Sequence, residues 1–477
     1  MRPLEALLAG ADVAAVMALV LTPWLRRWTL LFTLPPVLIA LVQVGVEGWR
    51  WQLLPAEALA LVVFLIAPKP GPAPSVRRLK RPYRNAAAAV CAGAACLVMA
   101  IALPLALPVF AFPTPSGPYA IGTVSYDWVD EGRREIFSSD PSVRREVMVQ
   151  IWYPAKPDAS APRAPYLDDP AALAPLERLL RMPPALFAYL KYVSTNAVVG
   201  APIVDGGGRF PVLIFAHGRG GYRQHNTFQV EELVSHGYVV AAIDQPYAAS
   251  AVRFADGRRV AFDARFMDQA FLTRAIPYLA GDVSFVLDQL SGLNGNDPGH
   301  RFANRLDLGR AGVFGLSMGG MVAAEACHRD ARLRACLPMD VEMPADVVRA
   351  GLVQPTMWIS RDADSMQMEG WKEADVAATQ STMNAVYASL PGDGYRVLEP
   401  GMFHQNFSDL PLALPPPLGR WVGLIGPVDP RRGLAIVDAY SLAFFDHELK
   451  GRPEPLLDGR LRPWPEVQFS SRRGRSE

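Results

Sequence analysis

Residues 311–329 read AGVFGLSMGGMVAAEACHR. The apolar, strand-like AGVF runs into Gly315-Leu316-Ser317-Met318-Gly319, and a helix-favouring run follows. A G-x-S-x-G at a strand-to-helix junction is a turn so tight that the residues flanking the serine must be small, hence the glycines. It lifts the serine hydroxyl above the sheet edge. It also puts Ser317 and the amide of Met318 at a helix N-terminus, where unpaired N–H groups favour negative charge. The bare motif is common by chance; the strand before it and the helix after it make this one informative.

Around this turn, β-rich runs alternate with helix-like stretches: VMVQIWYP (147–154), PVLIFAHG (211–218), YVVAAIDQP (238–246), ACLPMD (335–340) and PTMWIS (355–360). Such alternation predicts an α/β domain with a mostly parallel central sheet. It covers residues 113–477. The stretch 155–209 lacks the rhythm and is rich in Ala, Pro and Leu, which suggests an insertion or lid near the substrate entrance. No internal repeat is present, and the tail SSRRGRSE is expected to fray.

Upstream the chain changes character. Of its 477 residues 51% are hydrophobic, and the excess is concentrated in 4–25, 28–46, 52–68 and 86–112. These stretches are close to the ~20 residues that span a bilayer as helix. Residues 1–112 therefore read as a transmembrane region of about four helices, the apolar runs continuing too far for one cleaved signal peptide. Asp12 and Glu57 interrupt the first and third stretches and are expected to hydrogen-bond between helices or to sit near an interface. Arg26 and Arg27 follow the first span. Lys69, Arg77, Arg78, Lys80, Arg81 and Arg84 lie between the third and fourth. Arg2 and Arg50 are on the opposite side. This asymmetry places the N-terminus and everything after residue 112 outside the cytoplasm, in a multi-pass protein of the cell membrane. The segment PTPSGPYAIG reads as a stiff exit linker.

The net charge of +1 offers no field for nucleic acid. Cys91, Cys96, Cys327 and Cys336 show no metal-ligand spacing and are expected to be unpaired and mostly buried. Neither a metal nor an organic cofactor is implied.

A serine nucleophile needs a base. Of seven histidines, His217, His225, His236 and His300 precede Ser317, against the chain order serine–acid–histidine that goes with this turn. His328 lies three helical turns past the serine, and His447 falls in a late amphipathic helix. His404, in GMFHQNFSD after the strand-like YRVLEP, is the expected base. For the acid, Asp340 ends ACLPMD, while Asp362 or Asp364 follows PTMWIS; spacing alone leaves them nearly even. A second oxyanion donor is expected from the loop in PVLIFAHGRGGYR, the amide of Arg219 pairing with that of Met318. His217 reads as an organiser of that turn.

From about 118 to 470 the chain resembles the plasma-type (group VII) platelet-activating factor acetylhydrolases and their bacterial relatives, a branch of the α/β-hydrolases related to dienelactone hydrolases. VQIWYPA, PVLIFAHGRGGYR, ELVSHGYVVAAIDQP, GVFGLSMGG, CLPMDVEMP, FHQNFSD and VDPRRGLAIVDAYSLAFFDHELKG carry the resemblance, in family order. It implies an α/β-hydrolase fold and a Ser317–Asp340–His404 triad, since the family places its acid after the strand that follows the nucleophile helix. It implies oxyanion donors at Arg219 and Met318, although the family often has an apolar residue where Arg219 stands. The implied activity is hydrolysis of lipid-like esters with short or oxidised acyl chains through an acyl-serine. A broad carboxylesterase, lipase or polyester hydrolase, an acyltransferase and a non-catalytic membrane scaffold are the alternatives.

Overall fold

The computed structural model describes all residues except 22–27, 68–82, 159, 180–182, 184, 207 and 475–477. The chain divides into two compact units, Met1–Phe110 with Ala413–Leu418, and Ala111–Leu412 with Gly419–Glu477.

The first unit is built on α1 (Pro3–Leu21), α2 (Thr29–Glu47), α3 (Leu54–Ile66, preceded by a 3-10 turn at Trp51–Leu53) and α4 (Tyr83–Ala106). α1 packs against the other three helices. Close approach is permitted by small residues: Leu8 meets Ala56, Ala60 and Ala100, and Ala15 meets Leu59 and Val63. Leu41, Val46, Leu65, Ile66 and Val98 point outward and stand mostly exposed. Polar side chains turn inward instead. Glu5, Asp12, Gln43, Arg50 and Gln52 are buried, and Glu5 pairs with Arg2 (2.7 Å) and Arg50 (3.1 Å). Asp12 is buried as a bundle-facing carboxyl, but neither of its oxygens is hydrogen-bonded among the described residues, so the expected interhelical bond is not made. Glu57 accepts from Trp49 Nε1 (3.2 Å), just outside the end of α2. Thr29–Glu47 is long and apolar enough to cross a membrane; Trp51–Ile66 and Cys91–Ala106 are shorter apolar helices. Cys91 and Cys96 are exposed on α4, contrary to expectation, whereas Cys327 and Cys336 are buried; all four are free. The basic residues 26, 27, 69, 77, 78, 80 and 81 lie outside the described residues.

The second unit contains β1 (Ala120–Arg134), β2 (Arg144–Ala155), β3 (Arg163–Pro165), β4 (Ser194–Val199), β5 (Phe210–Ala216), β6 (Val239–Asp244), β7 (Ala251–Arg253), β8 (Arg259–Ala261), β9 (Leu306–Leu316), β10 (Leu333–Met339), β11 (Thr356–Ser360), β12 (Gly394–Leu398) and β13 (Gln468–Arg472). Eleven form one sheet in the order β13-β12-β11-β10-β9-β5-β6-β2-β1-β4-β3, while β7 and β8 make a separate hairpin. The central run from β12 to β6 is parallel throughout. Its strands are apolar along their length because helices cover both faces. The helix Gln269–Gly295 is apolar enough to span a bilayer, yet it packs Leu272, Ile276, Leu279, Val283 and Val286 into the core of this unit.

Two expectations are corrected at the sheet edges, and the exit linker gains a detail. The stretch 155–209 is not without strands: β4 pairs in parallel with β1, and β3 closes antiparallel on β4. The tail does not fray from residue 470, because β13 pairs along the whole of β12. The exit linker is pinned, the Ser116 amide donating to Glu232 (2.8 Å) and that of Gly117 to Ser235 Oγ (3.0 Å).

Candidate active site

Every residue of the candidate site stands at the carboxyl ends of the parallel strands, where loops are free to differ without disturbing the ladder. Ser317 follows β9 at φ 57°, ψ −127°, a conformation that L-residues rarely adopt. The surroundings enforce it. A Cβ on Gly315 would fall 2.2 Å from the Gly319 carbonyl oxygen, and one on Gly319 would fall 1.9 Å from that of Ala216. The Ser317 amide donates to the Met339 carbonyl (2.9 Å), tying the turn to β10.

Asp340 directly follows β10, also at positive φ (43°), and is buried. His404 begins a 3-10 turn after β12, and its Nδ1 lies 2.6 Å from Asp340 Oδ2. Ser360 Oγ donates to Asp340 Oδ1 (3.0 Å), and Arg361 Nε lies 3.2 Å from both carboxylate oxygens. Burial alone would raise the Asp340 carboxyl. The Arg361 charge, with the bonds from His404 and Ser360, outweighs it and holds the group below the usual carboxylate range. An ionised Asp340 can only accept, so the proton of that bond sits on His404 Nδ1, leaving Nε2 as the basic nitrogen. Asp362, the alternative acid, is instead the N-cap of the short helix Ala363–Met368, accepting from the Ser365 amide (3.0 Å).

Three residues around this pair had no signal in the sequence. Arg361 also pairs with Glu369, whose carboxylate accepts from the His404 amide at 3.2 and 3.3 Å. The Trp371 ring lies 5.6 Å from the imidazole, with Arg361 over its face at 4.6 Å. A continuous chain of contacts thus runs from the carboxylate to the backbone of the histidine turn. Asn406 staples the same turn, its Oδ1 accepting from the amides of Phe403 (2.9 Å) and Gly426 (2.8 Å). Asp409 caps the helix Thr227–Ser235 through the amides of Thr227 and Phe228. The HQNFSD run is therefore a structural clamp as well as the carrier of His404.

On the other flank, β5 ends in His217-Gly218-Arg219-Gly220-Gly221. His217 is buried; its Nε2 accepts from the Gln245 amide (3.2 Å), so Nδ1 carries the proton and donates to the Gly218 carbonyl (2.7 Å). Burial pushes this imidazole down and keeps it neutral. Gly220 donates to Ala248 O (2.8 Å) and Gly221 to Gly218 O (2.9 Å). A Cβ on Gly218 would come within 3.9 Å of Ser317 Oγ, so this loop abuts the Ser317 turn. Among the described residues the amides of Arg219 and Met318 have no backbone partner. Two N–H groups are thus available beside Ser317, the arrangement an oxyanion requires. His328 is exposed at the end of the helix Met318–Arg329, and His447 bonds the Arg452 carbonyl from the helix Pro430–Lys450; neither joins the site.

The family described as "Platelet-activating factor acetylhydrolase, isoform II" matches residues 108–257 and 290–454. A probable 1-alkyl-2-acetylglycerophosphocholine esterase of Arthroderma benhamiae is 24% identical over 400 residues, covering 78% of this chain and 97% of that protein. The platelet-activating factor acetylhydrolase of Gallus gallus is 21% identical over 382 residues, covering 71% and 84%. Among solved structures, a ferulic acid esterase from Streptomyces cinnamoneus superposes with a TM-score of 0.63 at 29% identity, covering 76% of this chain and 99% of that one. The chain is a serine-type ester hydrolase, and it belongs to the platelet-activating factor acetylhydrolase, isoform II, family.

Proposed function

We propose that Ser317 is the nucleophile, His404 the general base and Asp340 the orienting acid. His404 Nε2 takes the Ser317 proton as Oγ attacks the ester carbonyl. The amides of Arg219 and Met318 hold the oxyanion. His404 then protonates the departing alcohol and activates the water that releases the acid from the acyl-serine. The observation that carries this reading is the 2.6 Å bond from His404 to a carboxylate kept ionised by Arg361. The substrates are lipid-like esters with a short or oxidised acyl chain, as the names of the acetylhydrolase relatives suggest. A second reading, a broad carboxylesterase that accepts an aromatic acyl group, is favoured by the likeness to the ferulic acid esterase. The bundle of α1 to α4, apolar outside and polar inside among the described residues, supports a membrane anchor of about four spans within residues 1–112. Residues 155–209 fit a substrate-side insertion.

A fluorophosphonate probe should label the wild-type protein at Ser317 and leave Ser317→Ala unlabelled. Ser317→Ala should lose several orders of magnitude in kcat, retaining roughly 10³-fold catalysis over water from the oxyanion site and binding. Wild-type-like turnover by purified Ser317→Ala would refute the assignment. Acetyl and long-acyl glycerophospholipids, compared with methyl ferulate, separate the two substrate readings.

A further inference from the structure

The arginines buried in the catalytic unit each hold a carboxylate. Arg145 pairs with Glu135 (2.7 Å) and Asp282 (2.6 Å), Arg223 with Asp244 (2.5 Å), and Arg361 with Asp340 (3.2 Å). Arg219 is the exception beside the site. It is half-buried, yet among the described residues its guanidinium has no hydrogen bond and no ion pair within 4.0 Å. A guanidinium withdrawn from water without a counter-ion is under-satisfied, and an anion arriving beside it recovers the lost interaction.

Its position follows from the topology. Arg219 leaves the end of β5, and β5 and β10 flank β9, which ends in Ser317. Among the described residues, an opposing charge acts on Arg219 from Glu342, two residues beyond Asp340 past the end of β10. Glu342 is already engaged, accepting from Gln269 Nε2 at 2.5 Å. Arg219 and Glu342 thus leave the ends of the two strands that flank β9, and they form no ion pair within 4.0 Å. The Arg219 turn is locked by the Gly220 and Gly221 bonds, so its side chain leaves from a fixed point next to Ser317.

We propose that the Arg219 guanidinium is an anion-recognising subsite beside Ser317, selecting esters that carry a negative group near the scissile bond. The group is a carboxylate or phosphate oxygen, which the planar guanidinium can bind in bidentate fashion. It arrives either on the acyl chain or on the alcohol. This inference rests on the esterase reading above.

The test uses the full chain in detergent micelles and compares kcat/KM within matched pairs. Mono-p-nitrophenyl glutarate against its neutral methyl ester reports an anion on the acyl side. The acetyl ester of 3-hydroxypropyl phosphate against the corresponding dimethyl phosphate triester reports one on the alcohol side. Wild type should favour the anionic member of at least one pair by about tenfold, the scale of one charge-assisted contact. Arg219→Leu should bring that ratio to one or below, Arg219→Lys should keep part of it, and Glu342→Gln should raise it. The ratio is independent of the fraction of active enzyme and of any damage to the oxyanion turn, which touches both members equally. A wild-type ratio near one in both pairs, or a ratio unmoved in Arg219→Leu, overturns the subsite while turnover of the neutral esters leaves the esterase reading standing. Absence of turnover on all four esters, with no fluorophosphonate label, would instead remove the reading beneath it.

Discussion

Asp340 and Asp362 end or follow neighbouring strands, and chain order cannot choose between them. The geometry separates their work: Asp340 faces the imidazole, whereas Asp362 is committed to a helix cap. Asp340→Asn should therefore cut kcat by orders of magnitude, because an amide at that position favours the wrong imidazole tautomer. Asp362→Asn should cost little, since Asn caps helices nearly as well as Asp. Steady-state kinetics on a p-nitrophenyl ester decide it, and the reverse ranking would move the acid to Asp362. His225 supplies a second test. Burial, with the fields of His217 and His404, pushes its imidazole down to about 3, and its Nδ1 is unpartnered among the described residues. In the unfolded chain a histidine titrates near ~6.5. Between these values the unfolded state takes up a proton that the folded state refuses. The stabilisation is thus complete above ~6.5, is eroded as pH falls, and levels off at about 3. From pH 7 to 4.5 this single group costs the wild type about 2 kcal/mol. His225→Gln should lose less of its thermal midpoint over that interval, and parallel curves for the two proteins would refute the account.

At the scale of elements, legibility in the sequence followed burial. The runs 211–218, 238–246, 311–320, 335–340 and 355–360 became β5, β6, β9, β10 and β11, because a strand covered on both faces is continuously apolar. β1 escaped notice, its AIGTVSYDWVDEGRR mixing buried and exposed positions. β3 and β13 escaped because edge strands are short and polar, and β4 because its six residues STNAVV mix buried and exposed positions. The same logic applies to the site. Ser317 sits in a local pattern, so its candidacy is legible there. Arg361, Glu369 and Trp371 meet His404 only through tertiary packing, and SRDADSMQMEGW carries no periodic signal for that. Glycines give the element-scale test. Gly319 seats the helix Met318–Arg329 against the Ala216 carbonyl, where an added Cβ has no room. Gly292 lies exposed in the helix Gln269–Gly295 with nothing within 4 Å of such a Cβ. Gly319→Ala should destabilise by about 1–3 kcal/mol or more, since the obstacle is backbone. Gly292→Ala should stabilise by about 0.5–1 kcal/mol. Thermal unfolding of the two variants should move in opposite directions, and a Gly319→Ala protein as stable as wild type would mean that the turn is looser than described.

For the whole molecule, the proposed membrane anchor carries a prediction about the side on which the catalytic unit would lie. The sequence answers through charge. The segments after the first and third apolar stretches hold eight basic residues, Arg26, Arg27, Lys69, Arg77, Arg78, Lys80, Arg81 and Arg84, against Arg2 before the first stretch and Arg50 after the second. Basic residues in short loops are retained in the cytoplasm, so under the proposed four-span anchor the chain would return outside after residue 112. The weak point is the first span, where a carboxyl at a helix centre costs ~3 kcal/mol on insertion scales. In the folded bundle Asp12 is buried and α1 packs on the other three helices, so in a bilayer the carboxyl would avoid the lipid. Should the first span fail to insert, three remain, and the six-charge loop 69–84 still fixes the direction of the fourth. Sidedness is therefore more robust than span count. An alkaline phosphatase fused after residue 118 should be active and a β-galactosidase fused there inactive. Moving Lys69, Arg77, Arg78, Lys80, Arg81 and Arg84 to Gln should weaken that contrast, because the determinant is charge and not length. The reverse reporter pattern in the unmodified protein would place the esterase in the cytoplasm, where a different leaflet would supply its esters.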